Sequence, residues 1–269
     1  MAGALPTFVI IGAQKCGTTA LHSYLARHPK ISMSTPKELD FFVAEKRWDE
    51  GIDWYRSRFN PSREIRGESS PNYTAHPTLD GVPERMASVI PDAKLIFMVR
   101  DPVKRVHSNY IHSFSNRAES RPMRVAVLDP KRAYIHRSRY HHQLSRYLEH
   151  YPKERILILE QDELRGERRE TIKRVFRFVG APEDHWQPIY DLPKLETSAR
   201  RRRSALGAYA AKRLKVRHFR KVRDRRPFSM PWEQPPLPDD LRVEIEDQLR
   251  DDIAAFRKLT GRQFENWSV

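Results

Sequence analysis

The stretch Gly12-Ala13-Gln14-Lys15-Cys16-Gly17-Thr18-Thr19 combines residue types whose spacing suits anion binding. Two glycines five apart let a backbone wrap around an anion. A helix starting at Thr18 would add free amides and the positive end of its dipole. The loop therefore reads as a phosphate cradle. In nucleotide hydrolases a lysine follows the second glycine of such a loop. Here Thr18 holds that place, and the lysine stands inside the loop as Lys15. No strand ends in a clear magnesium-holding acid. The cradle is thus present without the magnesium-dependent γ-phosphate apparatus. Cys16 reads as a small loop filler rather than an activated thiolate. Of the eleven histidines, His141 and His142 are adjacent and point apart on a helix. His107 and His112 are five apart and do not share a helical face. No metal site is assigned.

The elements that must position this loop follow from hydrophobic runs. Thr7-Phe8-Val9-Ile10-Ile11 is a β-rich run ending at Gly12 and predicts a buried strand. Ala20, Leu21, Tyr24 and Leu25 have helical spacing and stop at His28-Pro29. Lys94–Val99 predicts a second buried strand. It leads into Arg100-Asp101-Pro102, an N-cap and first-turn proline pair, and a helix through Val103, Val106, Tyr110 and Phe114. Ile156–Leu159 predicts a third strand, preceded by a helix through Leu144, Tyr147 and Leu148. Thr171–Val179 predicts a helix closed by Gly180. A last helix, capped by Asp239 or Asp240, runs through Leu241, Ile245, Leu249, Ile253 and Phe256 to Gly261. Strands alternating with helices predict an α/β fold, a parallel sheet with helices on both faces.

The chain has 269 residues, enough for a core without disulfides, and its one cysteine excludes a multi-cysteine metal site. Charged residues reach 32%, yet 10% aromatics argue for a folded chain. No apolar run approaches a membrane span, and no secretory leader is recognisable, so the expectation is a cytoplasmic protein. The net charge of +15 is concentrated: Arg200–Arg226 holds thirteen lysines or arginines against one acid, Asp224. A chain otherwise near neutrality argues against a nucleic-acid-binding domain and for one basic insert. Leu206, Tyr209, Ala210 and Leu214, among these arginines, are compatible with contact to a membrane surface. Pro227–Pro238 contains five prolines and predicts a rigid loop. One domain over 1–269, with a basic, proline-rich subregion at 200–238 near an acceptor site or forming a lid, fits this pattern.

The strand followed by Gly-x-x-Lys-x-Gly-Thr-Thr-x-Leu resembles the 5′-phosphosulfate loop of the PAPS-dependent sulfotransferases, PAPS being 3′-phosphoadenosine 5′-phosphosulfate. A second signature, an arginine at a strand end and a serine on the next helix, is matched by Phe97–Tyr110, with Arg100 and Ser108 in those places. Lys37-Glu38-Leu39-Asp40-Phe41-Phe42 resembles the segment that carries the catalytic glutamate in the heparan sulfate N- and 3-O-sulfotransferases. Gly51–Tyr55, Gly67–Tyr73, Tyr140–Leu144 and Asp162–Leu164 follow in that branch's order. The resemblance covers about residues 7–185, with a weaker match at 259–262. The chain departs from the branch at Asp40, where histidine is common, and at Ser69 or Ser70, where lysine is common.

The resemblance implies a P-loop-like fold and PAPS as co-substrate, leaving as 3′-phosphoadenosine 5′-phosphate, with no metal. It implies nucleotide contacts from Gln14, Lys15, Cys16, Gly17, Thr18, Thr19, Arg100 and Ser108. Glu38 is implied as general base and Lys15 as the cation meeting charge on the leaving oxygen. Without the family segment, Glu38 would read as a solvated surface acid. Lys37, Asp40 and Ser70 are implied on the acceptor side, the acceptor being a carbohydrate or another molecule bearing a hydroxyl or amine. Arg202 falls where related enzymes close a basic loop over the nucleotide; a basic linker and an acceptor-docking surface are equal alternatives for Arg200–Arg203. Two other functions stay open at this point: a P-loop-like nucleotide kinase or NTPase, and a non-catalytic binder of anionic polymers.

Overall fold

The computed structural model describes residues 3–190, 201–206, 209 and 229–269. Most of the basic segment Arg200–Arg226, including Lys212, Arg213, Lys215 and Arg217, lies outside them, as do Ala210 and Leu214.

Five parallel strands form the central sheet: β1 (Phe8–Gly12), β2 (Ile31–Met33), β3 (Ile65–Ser69), β4 (Lys94–Val99) and β5 (Ile156–Glu160), in the order β2-β3-β1-β4-β5. β1 is buried along its whole length and lies between β3 and β4, with Phe8 opposite both Gly67 and Lys94. The expected strands at 7–11, 94–99 and 156–159 are thus present, because continuous apolar runs suit a sheet covered on both faces. β2 and β3 had no such signal. β3 reads Ile-Arg-Gly-Glu-Ser, and its buried residues are Gly67, Glu68 and Ser69.

The helices flanking this sheet that matter for the site are α1 (Thr18–Leu25), α2 (Gly51–Arg56), α3 (Val82–Val89), α4 (Pro102–Ser115), α5 (Met123–Val127), α6 (Ala133–His136), α7 (Tyr140–Leu148), α8 (Gln161–Gly166), α9 (Arg168–Val179) and α10 (Asp239–Thr260). α1 follows β1, and the chain then crosses to β2 on one side. α4 follows β4, and the chain crosses to β5 on the other. Adjacent strands whose connections leave in opposite directions open a crevice at their carboxyl ends, where ligands of open α/β sheets bind. The Ala13 amide donates to the Met98 carbonyl at 2.7 Å across this crevice.

α4 starts as its sequence predicts: the Asp101 side chain accepts from the Lys104 amide at 2.8 Å, with Pro102 in the first turn. The same carboxylate accepts from the amide and hydroxyl of Ser268, at 2.8 and 2.6 Å. The C-terminal segment is held further by Trp267, whose indole N–H donates to Glu160 and whose ring stacks on Phe264 at 4.2 Å. α10 buries the five apolar residues expected of it. Its cap differs from expectation: Pro238 is the N-cap, and Asp240 is used instead in a salt bridge with Arg124. The proline-rich stretch is not only loop. Ser229–Pro231 forms β7, paired antiparallel with β6 (Arg201–Arg203) at a two-stranded edge that proline tolerates. This pair docks on α4, with Trp232 5.7 Å from Phe114 and the His107 ring donating to the Pro235 carbonyl at 2.9 Å. Among the described residues no helix is long and apolar enough to cross a membrane.

Asp101 therefore joins a helix cap to the C-terminal segment. Asp101→Ala should lower unfolding free energy by about 1–3 kcal/mol, since a cap alone is worth roughly 1 and orphaned buried donors add to it. Urea denaturation of Asp101→Ala beside Ser268→Ala checks this, the serine variant losing clearly less.

Candidate active site

The loop between β1 and α1 is held open by backbone conformations that few residues adopt. Gly17 has φ 92° and Lys15 φ 75°, both left-handed. Gly12 admits no side chain, since a Cβ there would lie 1.9 Å from the Thr74 hydroxyl. Two arginines fix the loop. Arg100 Nη1 donates to the Lys15 carbonyl at 3.3 Å, and Arg105 Nη1 donates to the Gln14 carbonyl at 3.4 Å. A planar trans peptide turns the Lys15 amide away from the carbonyl that Arg105 holds. Tyr140, fully buried at the start of α7, donates its hydroxyl to the Arg100 carbonyl at 2.8 Å.

Lys15, Arg100 and Arg105 bring three positive charges to one loop. Arg105 is completely buried, with its guanidinium satisfied by Ser138, Asn109 and the carbonyls of Tyr134 and Gln14. Among the described residues these partners include no carboxylate. Burial pulls the Lys15 ammonium down to about 8, and the charges of Arg100 and Arg105 act in the same direction. A cluster of cations without a carboxylate partner among the described residues suits an anion.

The expected nucleotide contacts fall into different places. Gln14 and Lys15 are half-buried in the loop, Gly17 and Thr18 open α1, and Thr19 is exposed on its first turn. Cys16 turns inward: its thiol is sealed in the core, pushed up by burial, and its amide donates to the Ala13 carbonyl. It shapes the loop from beneath. Ser108 is half-buried on α4, the helix that carries Arg105 and begins just after Arg100. Arg202 lies farther along α4, its guanidinium 4.1 Å over the Phe114 ring, and Arg117 donates to the neighbouring Arg203 carbonyl.

The acceptor-side residues converge at the start of α1. Lys37 Nζ is 3.5 Å from the Thr18 hydroxyl and 2.8 Å from Glu38 Oε1. It ties the acid to the mouth of the cradle, where the Glu38 side chain keeps 46% of its surface exposed. Asp40 does not stand free for an acceptor. It takes Lys46 at 2.5 Å and the Asn72 amide at 3.2 and 3.0 Å. Ser70 is likewise unavailable as a contact: buried, it accepts from the Asp40 amide at 3.0 Å and donates to Glu68 at 2.6 Å. Both residues shape the wall that carries Glu38.

Glu68 is the node of that wall and was not singled out from sequence. The hydroxyls of Tyr55, Ser70 and Tyr73 all donate to its carboxylate, at 2.5, 2.6 and 2.6 Å. Burial pushes Glu68 up to about 7 against the pull of these bonds. Tyr55 in turn stacks on Phe41 at 4.3 Å, anchoring the Lys37–Phe42 segment. Arg105 was also missed. Its position between Val103 and Val106 on the buried face of α4 was the available signal. The His76 and His142 rings pair at 2.6 Å away from this cluster. Among the described residues no three His, Cys, Asp or Glu side chains group as a metal site.

Comparison with known proteins gives this chain a family and a fold. The sulfotransferase domain family profile matches residues 5–220. A bifunctional heparan sulfate N-deacetylase/N-sulfotransferase 1 of Caenorhabditis elegans is 29% identical over 199 residues, which cover 67% of this chain and 22% of that protein. The corresponding enzyme 2 of Homo sapiens is 30% identical over 201 residues, 65% of this chain and 22% of that protein. The chain thus matches about a fifth of the length of these relatives. A sulfotransferase from Alicyclobacillus acidocaldarius shares the fold with a TM-score of 0.73 over 99% of this chain and all of that one, at 23% identity.

The cation cluster carries a stability consequence. The Lys15 charge is disfavoured in the folded state, so its penalty is full below pH 8 and is relieved as pH rises toward the unfolded value of 10.5. Lys15→Met should stabilise the free protein at pH 7 by up to about 3 kcal/mol, and the gain should vanish between pH 8 and 10.5. Thermal unfolding across that range reads both effects; a destabilised Lys15→Met at pH 7 contradicts the assignment.

Proposed function

Because the chain belongs to the sulfotransferase domain family, we propose that it moves the sulfuryl group of PAPS to a hydroxyl or amine of a carbohydrate or similar small acceptor. The observation that carries this reading is the convergence of Lys15, Arg100 and Arg105 on the loop whose mouth holds Lys37 and Glu38. The cluster suits the 5′-phosphosulfate, and Arg100 with Ser108 offers a fork and a hydroxyl for the 3′-phosphate. The names of the relatives favour a carbohydrate acceptor of the heparan type.

The transfer is a single displacement at sulfur. A lone pair of the acceptor oxygen or nitrogen forms the new bond to sulfur. The bond from sulfur to the bridging oxygen of the 5′-phosphate breaks and leaves its electron pair on that oxygen. Glu38 takes the acceptor proton, giving a sulfated acceptor and 3′-phosphoadenosine 5′-phosphate. Lys15 stabilises the charge that grows on the bridging oxygen, and its desolvated position strengthens that attraction. Lys37 orients Glu38 toward the start of α1, and the Glu68 node keeps the segment rigid.

Transfer of label from PAPS to a panel of oligosaccharide and simple hydroxyl acceptors tests the activity. Glu38→Gln should reduce kcat by about 10²–10⁴, the usual worth of a general base. Affinity for 3′-phosphoadenosine 5′-phosphate should stay nearly unchanged. Turnover near that of the parent in Glu38→Gln removes Glu38 from the base role.

A further inference from the structure

The wall and the cradle are joined by one residue that neither the motifs nor the relatives assign. Arg137 lies between α6 and α7 with 8% of its surface exposed. Its Nη2 donates to Asn72 Oδ1 at 2.9 Å, and Asn72 holds Asp40 with its amide nitrogen. Its chain neighbour Ser138 receives Arg105 Nε and donates to the Pro102 carbonyl at 3.0 Å. Arg137 is therefore anchored to the acceptor wall through its side chain, and its chain neighbour Ser138 is anchored to Arg105, which holds the cradle. The charges of Arg105, Asp40 and Glu38 all act on it. Its other terminal nitrogen, Nη1, is buried and has no hydrogen-bond partner among the described residues.

A buried guanidinium nitrogen without a partner is costly, and native structures pair nearly all such donors. A ligand oxygen can supply that partner, and the surroundings restrict its chemistry. The donor is cationic, and an oxyanion is its natural complement. Arg105, which holds the loop, and Glu38, at its mouth, both act on Arg137, so the oxyanion that passes between donor and base is the one it would meet. Burial and Arg105 bring the guanidinium down to about 10, so it stays charged at neutral pH.

We propose that Arg137 Nη1 donates to an oxygen of the sulfuryl group while that group passes from nucleotide to acceptor. This rests on the PAPS reading above and adds a contact to the reacting group. Arg137 does not exchange a proton in the step. The proton goes to Glu38 and the electron pair to the bridging oxygen, while Arg137 fixes the trigonal sulfuryl oxygens between the two. Asn72, which aims Arg137 without reaching the sulfuryl group, is a positioning residue.

PAPS and 3′-phosphoadenosine 5′-phosphate differ by the sulfuryl group alone, so their affinity ratio isolates this contact. Both are titrated without acceptor into the parent, Arg137→Gln and Asn72→Leu, alongside turnover with an accepting oligosaccharide. Arg137→Gln should weaken PAPS about tenfold relative to the desulfated nucleotide and lower kcat about 10²–10³, the usual loss of one oxyanion donor, with acceptor KM unchanged. Asn72→Leu should shift the same ratio in the same direction by a smaller factor, and it decides the matter if Arg137→Gln fails to fold. Equal weakening of the two nucleotides would show a structural role and overturn the assignment. A rise confined to acceptor KM would place the contact on an anionic group of the acceptor and overturn it too. A parent that binds neither nucleotide refutes the PAPS reading itself, and this contact with it.

Discussion

Like charges brought together out of water repel, and this site brings Lys15, Arg100 and Arg105 to one loop. Free, the arrangement is unfavourable, as the lowered Lys15 ammonium records. It persists because the surroundings over-determine it. β1 and β4 are buried along nearly their whole length and fix the crevice from which the loop rises. Asp101 caps α4, and the C-terminal segment binds the same carboxylate. Tyr140 holds the Arg100 carbonyl from below. A ligand of opposite charge would relieve strain of this kind.

The acceptor wall uses the opposite device. Glu68 is a buried acid whose three hydroxyl donors come from α2, from the turn after β3 and from the short helical turn at Pro71–Tyr73. Their common acceptor draws these elements together and sets the Lys37–Phe42 segment beside α1. Arg137 holds Asn72 of this wall, and its neighbour Ser138 holds Arg105, which binds the loop. A transfer reaction needs donor and acceptor held within one rigid frame, since misplacement of reacting atoms by about 1 Å can cost two orders of magnitude in rate.

Apolar runs made β1, β4 and β5 legible, and the glycine spacing with Lys15 made the anion loop legible. The family segment drew attention to Glu38, while its position near the start of α1, tied by Lys37, is set by tertiary structure. β3 was not legible because its inward residues are a glycine, an acid and a serine, and hydropathy does not foresee a carboxylate satisfied by distant tyrosines. Arg105 was hidden for a related reason. The helix pattern of α4 was read from its apolar residues, while an arginine on the same face depends on Ser138 and Gln14, which are remote in sequence. The tasks first given to Ser70 and Asp40 changed because their partners, Glu68, Lys46 and Asn72, are set by tertiary structure.

If the cluster of Lys15, Arg100 and Arg105 binds a phosphorylated anion, the lowered Lys15 ammonium regains its charge on binding. Calorimetric titration of 3′-phosphoadenosine 5′-phosphate at pH 8, repeated in buffers of different ionisation enthalpy, measures the protons exchanged on binding. Lys15 near its half-protonation point in the free protein should become fully charged against the anion, giving uptake of about half a proton per nucleotide. Tight binding with no uptake, or with proton release, would contradict the account.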